Sequence, residues 1–251
     1  MFRDLLLRDL RSRFVGSRSG WLWLILTPLL LLGVYGFVFG VIFSARVPAG
    51  LDIPFVAWLA VAMWPWLAFQ DAILRAASSM PEHANLISKV PLARDQLALS
   101  AATAAFLLQM LGFVAVLIAL PLFGVRLTLQ GLGAALVTLA VLYAFAAGLG
   151  FIAGALRVFY RDLDQLLPTL LMFGFFLTPI LYAPEMLPES LQSLWLFNPI
   201  ADLMNDLRDA LLHGQVLPGS RTLWLLPVSV LVLLAGRAFF RRLAPYFEDY
   251  L

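Results

Sequence analysis

Two carboxylates one residue apart, Asp162 and Asp164, two histidines, His83 and His213, and a single lysine, Lys89, are the groups through which this chain could hold a metal or a phosphate. A phosphate-binding loop of the G-x-x-x-x-G-K-[ST] kind needs glycines whose amides cradle the phosphate and a lysine that reaches it, and no such run precedes Lys89. There is no H-E-x-x-H pair, and the apolar segments place His83 and His213 on opposite sides of a membrane, so a zinc site within one chain is not expected. Asp162-Leu163-Asp164 matches the paired carboxylates with which some sugar transferases hold a metal, a short pattern that acidic residues opening a helix produce as well. The remaining chemistry is that of rings. Tyr35, Phe39 and Phe43 stand at i, i+4 and i+8. Aromatic rings stack on the apolar faces of sugars without fixing one stereochemistry, so the stripe suits a passage for glycans; it also suits an aromatic belt facing lipid. Spacing alone leaves both open.

These residues are positioned by apolar helices. Hydrophobic residues make up 62% of the 251 and charged ones 13%, and the mean hydropathy is +0.92. Soluble domains carry roughly a quarter charged residues, so this is an integral membrane protein. It has no cysteine, which excludes a disulfide framework and a thiolate metal site. The first apolar run, residues 19–45, contains no charge and is far longer than the roughly 7–15 residues of a signal-peptide core, so it is expected to remain as a spanning helix.

Six spans are predicted, over about residues 19–45, 55–71, 96–123, 131–156, 165–183 and 222–242, in a single transmembrane domain covering 1–251. Residues 1–18 carry five arginines and suit an interfacial helix, with Leu6, Leu7, Leu10 and Phe14 on one side and Asp4, Arg8 and Arg11 on the other. Residues 72–95 are polar and mixed in charge. Ser79-Met80-Pro81-Glu82 has capping-box spacing there and predicts a brief helix through Lys89, held off the membrane. Residues 185–213 read as two short helices too polar to span. The first, Leu187 to Phe197, is amphipathic, and Asn198-Pro199 offers the second an N-cap and a proline at its first position. Ile200, Leu203, Met204, Leu207 and Leu211 form its apolar stripe, with Asp202, Asn205, Asp206 and Asp209 largely off it and Gly214 closing it. The last span crosses Arg237 if that side chain snorkels. Gly36 with Gly40, and Gly150 with Gly154, have the small-xxx-small spacing that lets helices approach closely.

Of the lysines and arginines, thirteen fall on one side of this arrangement and only Arg46, Arg126, Arg208 and Arg221 on the other. Both termini are therefore expected inside.

Several segments, in order, resemble a known family. Arg8-Asp9-Leu10-Arg11-Ser12-Arg13-Phe14, Gly16-Ser17 and Gly20-Trp21-Leu22-Trp23 look like the entry to the first span in the permease subunits of type 2 ABC exporters, in the branch that moves O-antigen, capsular polysaccharide and teichoic acid. Asn85-Leu86-Ile87-Ser88-Lys89-Val90-Pro91-Leu92-Ala93-Arg94 resembles that family's cytoplasmic coupling region, with Ser88 where many relatives have a second basic residue. Phe159-Tyr160-Arg161-Asp162, Phe176-Leu177-Thr178-Pro179-Ile180 and Asn198-Pro199 match later landmarks. The resemblance covers nearly the whole chain.

It implies a homodimer in the bacterial inner membrane, each subunit bound to a separate ATPase chain that holds ATP and magnesium, with no cofactor or catalytic residue in this chain. It implies that Tyr35, Phe39, Phe43 and Phe176 line the passage and that Glu82, Asn85, Leu86, Ile87 and Lys89 couple to the ATPase. It further implies that the short outer helices, with Trp195, Asn198 and Pro199, form a gate. A lipid-pyrophosphate-linked glycan would meet Arg11, Arg13 and Arg18 at the inner leaflet, where the same arginines also suit ordinary anionic lipid. The rival readings are an exporter of small lipids or drugs, a self-contained secondary transporter, for which buried mid-membrane charges and repeats are missing, and a transferase using Asp162 and Asp164.

Overall fold

The computed structural model describes residues 2–12, 20–42, 53–84, 93–182 and 197–250, and these are helical with no strand among them. In chain order the helices are α1 (Phe2–Ser12), α2 (Gly20–Tyr35, continued by a π-helix, Gly36–Ile42) and α3 (Phe55–Glu82). Then come α4 (Arg94–Ala119), α5 (Leu132–Phe159), α6 (Leu163–Leu177), α7 (Pro199–Leu212) and α8 (Ser220–Leu243). Among the described residues, five stretches are long and apolar enough to cross a membrane: Leu22–Ile42, Phe55–Glu82, Arg94–Phe123, Leu132–Phe159 and Ser220–Asp249. The predicted fifth span is shorter than expected. α6 has 15 residues, about 22 Å at 1.5 Å per residue, against a hydrocarbon core of about 30 Å.

α3 is the axis of the bundle. α4 and α5 pack along it, α8 packs on α5, and α7 crosses the end where α3 begins. The core is assembled from small residues on α3 (Ala57, Ala60, Ala62, Ala68, Ala72 and Ala76, all nearly inaccessible), which let neighbouring backbones come close. Gly150 and Gly154, picked out by their spacing, both face Ala76: a Cβ at Gly150 would lie 2.7 Å from the Ala76 methyl, and one at Gly154 3.0 Å from the Ala76 carbonyl. Gly36 and Gly40 are different. A Cβ there would meet only Val56, at 3.4 and 3.9 Å, which is ordinary contact.

The polar stretch after the second span is a correction to the sequence reading. No loop follows residue 71; α3 continues for three more turns to Glu82. Its 28 residues reach about 42 Å, so the last turns extend past the apolar thickness. Ser79 does not open a new helix: its hydroxyl donates to the Ala76 carbonyl at 2.7 Å. Residues 85–92, with Asn85, Leu86, Ile87 and Lys89, lie outside the described residues, as do Arg13, Arg18, Phe43, Trp195 and the first of the two expected gate helices.

A second small core closes this charged end. Leu5 of α1 is buried with Met80, Leu97, Phe151, Phe240 and Phe247. The buried side of α1 is thus Leu5 rather than Leu7, which is exposed. The reason is electrostatic as well as apolar: Asp9, one turn on from Leu5, accepts a hydrogen bond from Ser100 of α4 at 2.8 Å, which turns that face inward. Arg237 binds buried Asp95 at 2.8 Å and Arg241 binds the same carboxylate oxygen at 2.7 Å, tying the end of α8 to the start of α4.

Candidate functional site

Asn198 and the Thr178-Pro179-Ile180 turn, twenty residues apart in sequence, meet at the end of the bundle where α7 lies. The Asn198 side-chain oxygen accepts from the Ile200 amide at 3.0 Å, the expected N-cap, with Pro199 at the first helical position. Its amide nitrogen donates to the Thr178 hydroxyl at 2.9 Å. One side chain therefore both starts α7 and holds the turn that ends α6.

The centre of this junction is a residue the sequence reading passed over. Arg208 of α7 is 3% exposed. Its Nε donates to the Trp58 carbonyl at 3.1 Å, Nη1 to the Pro179 carbonyl at 3.0 Å and the Asn205 side chain at 3.0 Å, and Nη2 to the Ile180 carbonyl at 3.1 Å. The guanidinium lies 3.4 Å from the Trp58 ring centroid. It fastens three segments: α7, the start of α3 and the turn after α6. Burial lowers its pKa to about 9, with neighbouring Asp209 opposing the shift, so it remains a cation at neutral pH. Its charge is met by carbonyl dipoles and a π face in place of a hydrogen-bonded carboxylate. A signal existed: Arg208 stands four residues after Met204, on the apolar stripe itself, where a long basic side chain has no reason to sit unless the interior binds it.

The acidic residues of α7 serve its other side. Asp202 pairs with Arg221 at 3.1 Å, and Asp206 accepts the Gly219 amide at 2.8 Å, so both hold the start of α8. Burial raises the Asp202 carboxyl above its ordinary value, Arg221 partly offsetting it.

Aromatic rings lead away from Arg208 in a continuous series. Trp58 lies 5.7 Å from Phe55, Phe55 lies 5.6 Å from Phe39, and Phe39 stacks on Tyr35 at 6.0 Å and 20°. Tyr35 and Phe39 are half-buried against α3. A π-helix begins at Gly36; such wide turns are rare and concentrate at functional sites. Phe176 of α6 is exposed, and its neighbour Phe175 is the ring that touches the bundle, edge-on to Trp66 at 6.1 Å. α6 has no buried residue along its whole length.

At the charged end, Arg11 is exposed on α1 and Glu82 ends α3, 3.8 Å from Arg75. Arg8 pairs with Asp9 at 3.1 Å and also donates to His83 Nε2 at 3.1 Å. His83 Nδ1 faces the Ser79 carbonyl at 2.9 Å and must carry the proton there, which leaves Nε2 as the acceptor for Arg8. His83 therefore fastens α1 to α3, and His213 bonds Asp209 at the other end of the bundle. Asp164 is ion-paired with Arg157. Among the described residues, no group of three histidines or carboxylates comes together.

The ABC-2 type transporter family model matches residues 2–212. The chain belongs to that family. Similar curated proteins include the O-antigen export system permease protein RfbA of Myxococcus xanthus, 30% identical over 94% of this chain and 90% of the relative. The protein of the same name from Klebsiella pneumoniae is 27% identical over 97% and 92%. The polysialic acid transport protein KpsM of Escherichia coli is 26% identical over 94% and 91%. The junction at Arg208 and the ring series thus belong to an ABC-2 transport subunit.

Proposed function

We propose that this chain is the membrane-spanning permease of an exporter that moves a lipid-linked polysaccharide across the bacterial inner membrane, working as a homodimer on a separate ATP-binding subunit. The observation that carries the reading is likeness over nine-tenths of the chain to permeases named for O-antigen and polysialic acid. The geometry supports it. α6 serves as the fifth of six spans, both termini face the cytoplasm, and the rings on α2, α3 and α6 offer sugar faces a surface with few directional bonds, suited to a chain that must keep moving. α7, with the short helix expected from the sequence before it, acts as the outer gate. The end of α3, the following residues 85–92 and α1 receive the stroke of the ATPase, which carries ATP and magnesium.

The test is reconstitution. The chain co-purified with its ATPase and placed in proteoliposomes will move lipid-linked glycan only with ATP, and an ATPase lacking its phosphate-binding lysine will abolish movement. Uphill transport by the lone chain, or movement of short lipids or drugs without glycan, would overturn the reading. Replacing Arg11 and Arg13 together by glutamine will reduce glycan export severalfold while leaving the complex assembled, because phosphate attraction is lost at an exposed surface; unchanged export would remove their role at the lipid headgroup.

A further inference from the structure

Between α3, α5 and the foot of α6 lies a cavity of about 300 Å³, lined by Asp71, Arg75, Ser78, Arg157 and Asp164. A second, of about 230 Å³, shares Arg157 and Asp164 with it and adds Arg161 and Tyr250. We infer that this pair of cavities is a saccharide-binding vestibule, which takes an uncharged, hydroxyl-rich segment of the exported glycan before it reaches the rings. The inference rests on the proposed function and gives it a site.

The lining is the argument. The first cavity holds two guanidinium groups and two carboxylates, so its charge is balanced and it offers a phosphate no net attraction; Arg161 gives the second one excess cation, which the pyrophosphate arm below tests. The first does offer planar donors beside acceptors, which is what vicinal hydroxyls bind. Ser78 is oriented for this work: its hydroxyl accepts from Arg157 at 2.6 Å and donates to the Leu74 carbonyl at 2.9 Å. Arg75 is held loosely, 3.9 Å from Asp71 and 3.8 Å from Glu82, so its donors can turn to a ligand at small cost. Pro168, in the wall, lacks the N–H that would otherwise bond the Asp164 carbonyl, which leaves an acceptor at the mouth.

A separate observation lies further along the same α3–α6 seam. The Trp66 indole N–H is buried, the residue 3% exposed, with no hydrogen-bond partner among the described residues. A buried donor without an acceptor costs about 1–3 kcal/mol. α6 approaches Trp66 at Gly174, where a Cβ would come within 3.0 Å of the indole ring. As α6 buries none of its residues, it can part from α3 there, and a sugar hydroxyl entering from the vestibule would supply the missing acceptor.

The chain has no cysteine, so single substitutions Leu163→Cys and Leu167→Cys, at two half-buried leucines of α6 in the cavity wall, place a thiol there without removing a polar group of the site. In the complex with a cysteine-free variant of its ATPase, each thiol is labelled with a water-soluble methanethiosulfonate reagent. Excess lipid-free glycan of the exported type will slow labelling at both positions at least fivefold, and inorganic pyrophosphate at equal concentration will not. Adding Asp71→Asn with Arg75→Gln will abolish the protection. Protection by pyrophosphate would make the cavity an anion site, and protection by neither would empty it of a ligand role; both overturn the inference. If the cysteine-free complex exports glycan and the thiols are unprotected, the vestibule alone falls. If it exports no glycan, the parent reading falls with it.

Discussion

Arg208→Met will lower the thermal midpoint of the detergent-solubilised protein and abolish transport, because backbone carbonyls at Trp58, Pro179 and Ile180 lose their donors together. The Trp58 carbonyl keeps its bond within α3, so two buried acceptors, those of Pro179 and Ile180, are left unsatisfied at about 1–3 kcal/mol each, which gives about 2 kcal/mol or more. At about 2–4 °C per kcal/mol for a chain of this size, the midpoint should fall by at least about 4 °C. Methionine fills much of the volume, so the loss reports the donors and not a cavity. Lysine will rescue only partly: it restores the charge over Trp58, but an ammonium is a point and cannot reach carbonyls on two different segments as a planar fork does. Asn205→Ala, which removes one of the four hydrogen bonds, should cost about 1 kcal/mol. An Arg208→Met protein that melts and transports like the wild type would show that α7 is held by its apolar stripe alone.

The second large effect belongs to the contact between α5 and α8. A Cβ at Gly236 would lie 2.3 Å from the Gly148 carbonyl oxygen, and one at Gly148 would lie 2.7 Å from the Val232 carbonyl oxygen. Both obstacles are backbone, which cannot rotate aside. Gly236→Ala must therefore part the two helices, at a cost of about 1–3 kcal/mol or more, and the separation will be transmitted to Phe240, whose ring packs on Phe151 at 5.5 Å. The matched control is Gly133→Ala in the first turn of α5, where nothing lies within 4 Å and alanine should gain up to about 1 kcal/mol in helix propensity. Monodisperse yield on gel filtration and the thermal midpoint will separate the two; equal behaviour would mean that the close approach does not hold the bundle together.

The apolar segments were legible because lipid must be faced by apolar side chains, and the cap at Asn198 was legible because its partner is two residues away. The parts that escaped reading depend on distant partners. Asp71, Arg75, Ser78 and Glu82 look like a loop when taken as a string, since nothing in the string says that Arg157 and Asp164 will stand opposite them. Arg208 was counted as one of four cations on the less basic side, although its donors are taken by carbonyls 28, 29 and 150 residues away in sequence. The small-residue spacing pointed correctly to Gly150 but not to Gly148 with Gly236, whose meeting is a matter of two helices and leaves no pattern in either one. The ring stripe was half legible: Tyr35 and Phe39 do stack, and the rings that continue it, Phe55 and Trp58, come from another helix.

Of the five long apolar helices, α3 has the lowest mean hydropathy, 1.3 against 2.0 to 2.5 for the others, and 78% of its most apolar window is enclosed by the rest of the chain. During synthesis, the insertion machinery weighs apolarity segment by segment, so the nascent chain meets its least favourable candidate second. Lipid rewards that segment weakly; the alanine-lined surfaces of α4 and α5, translated later, reward it strongly. The biogenesis of this subunit is therefore ordered backwards, with an early segment committed to the bilayer by later ones, and a ribosome that stalls after α3 leaves it without the neighbours that keep it there.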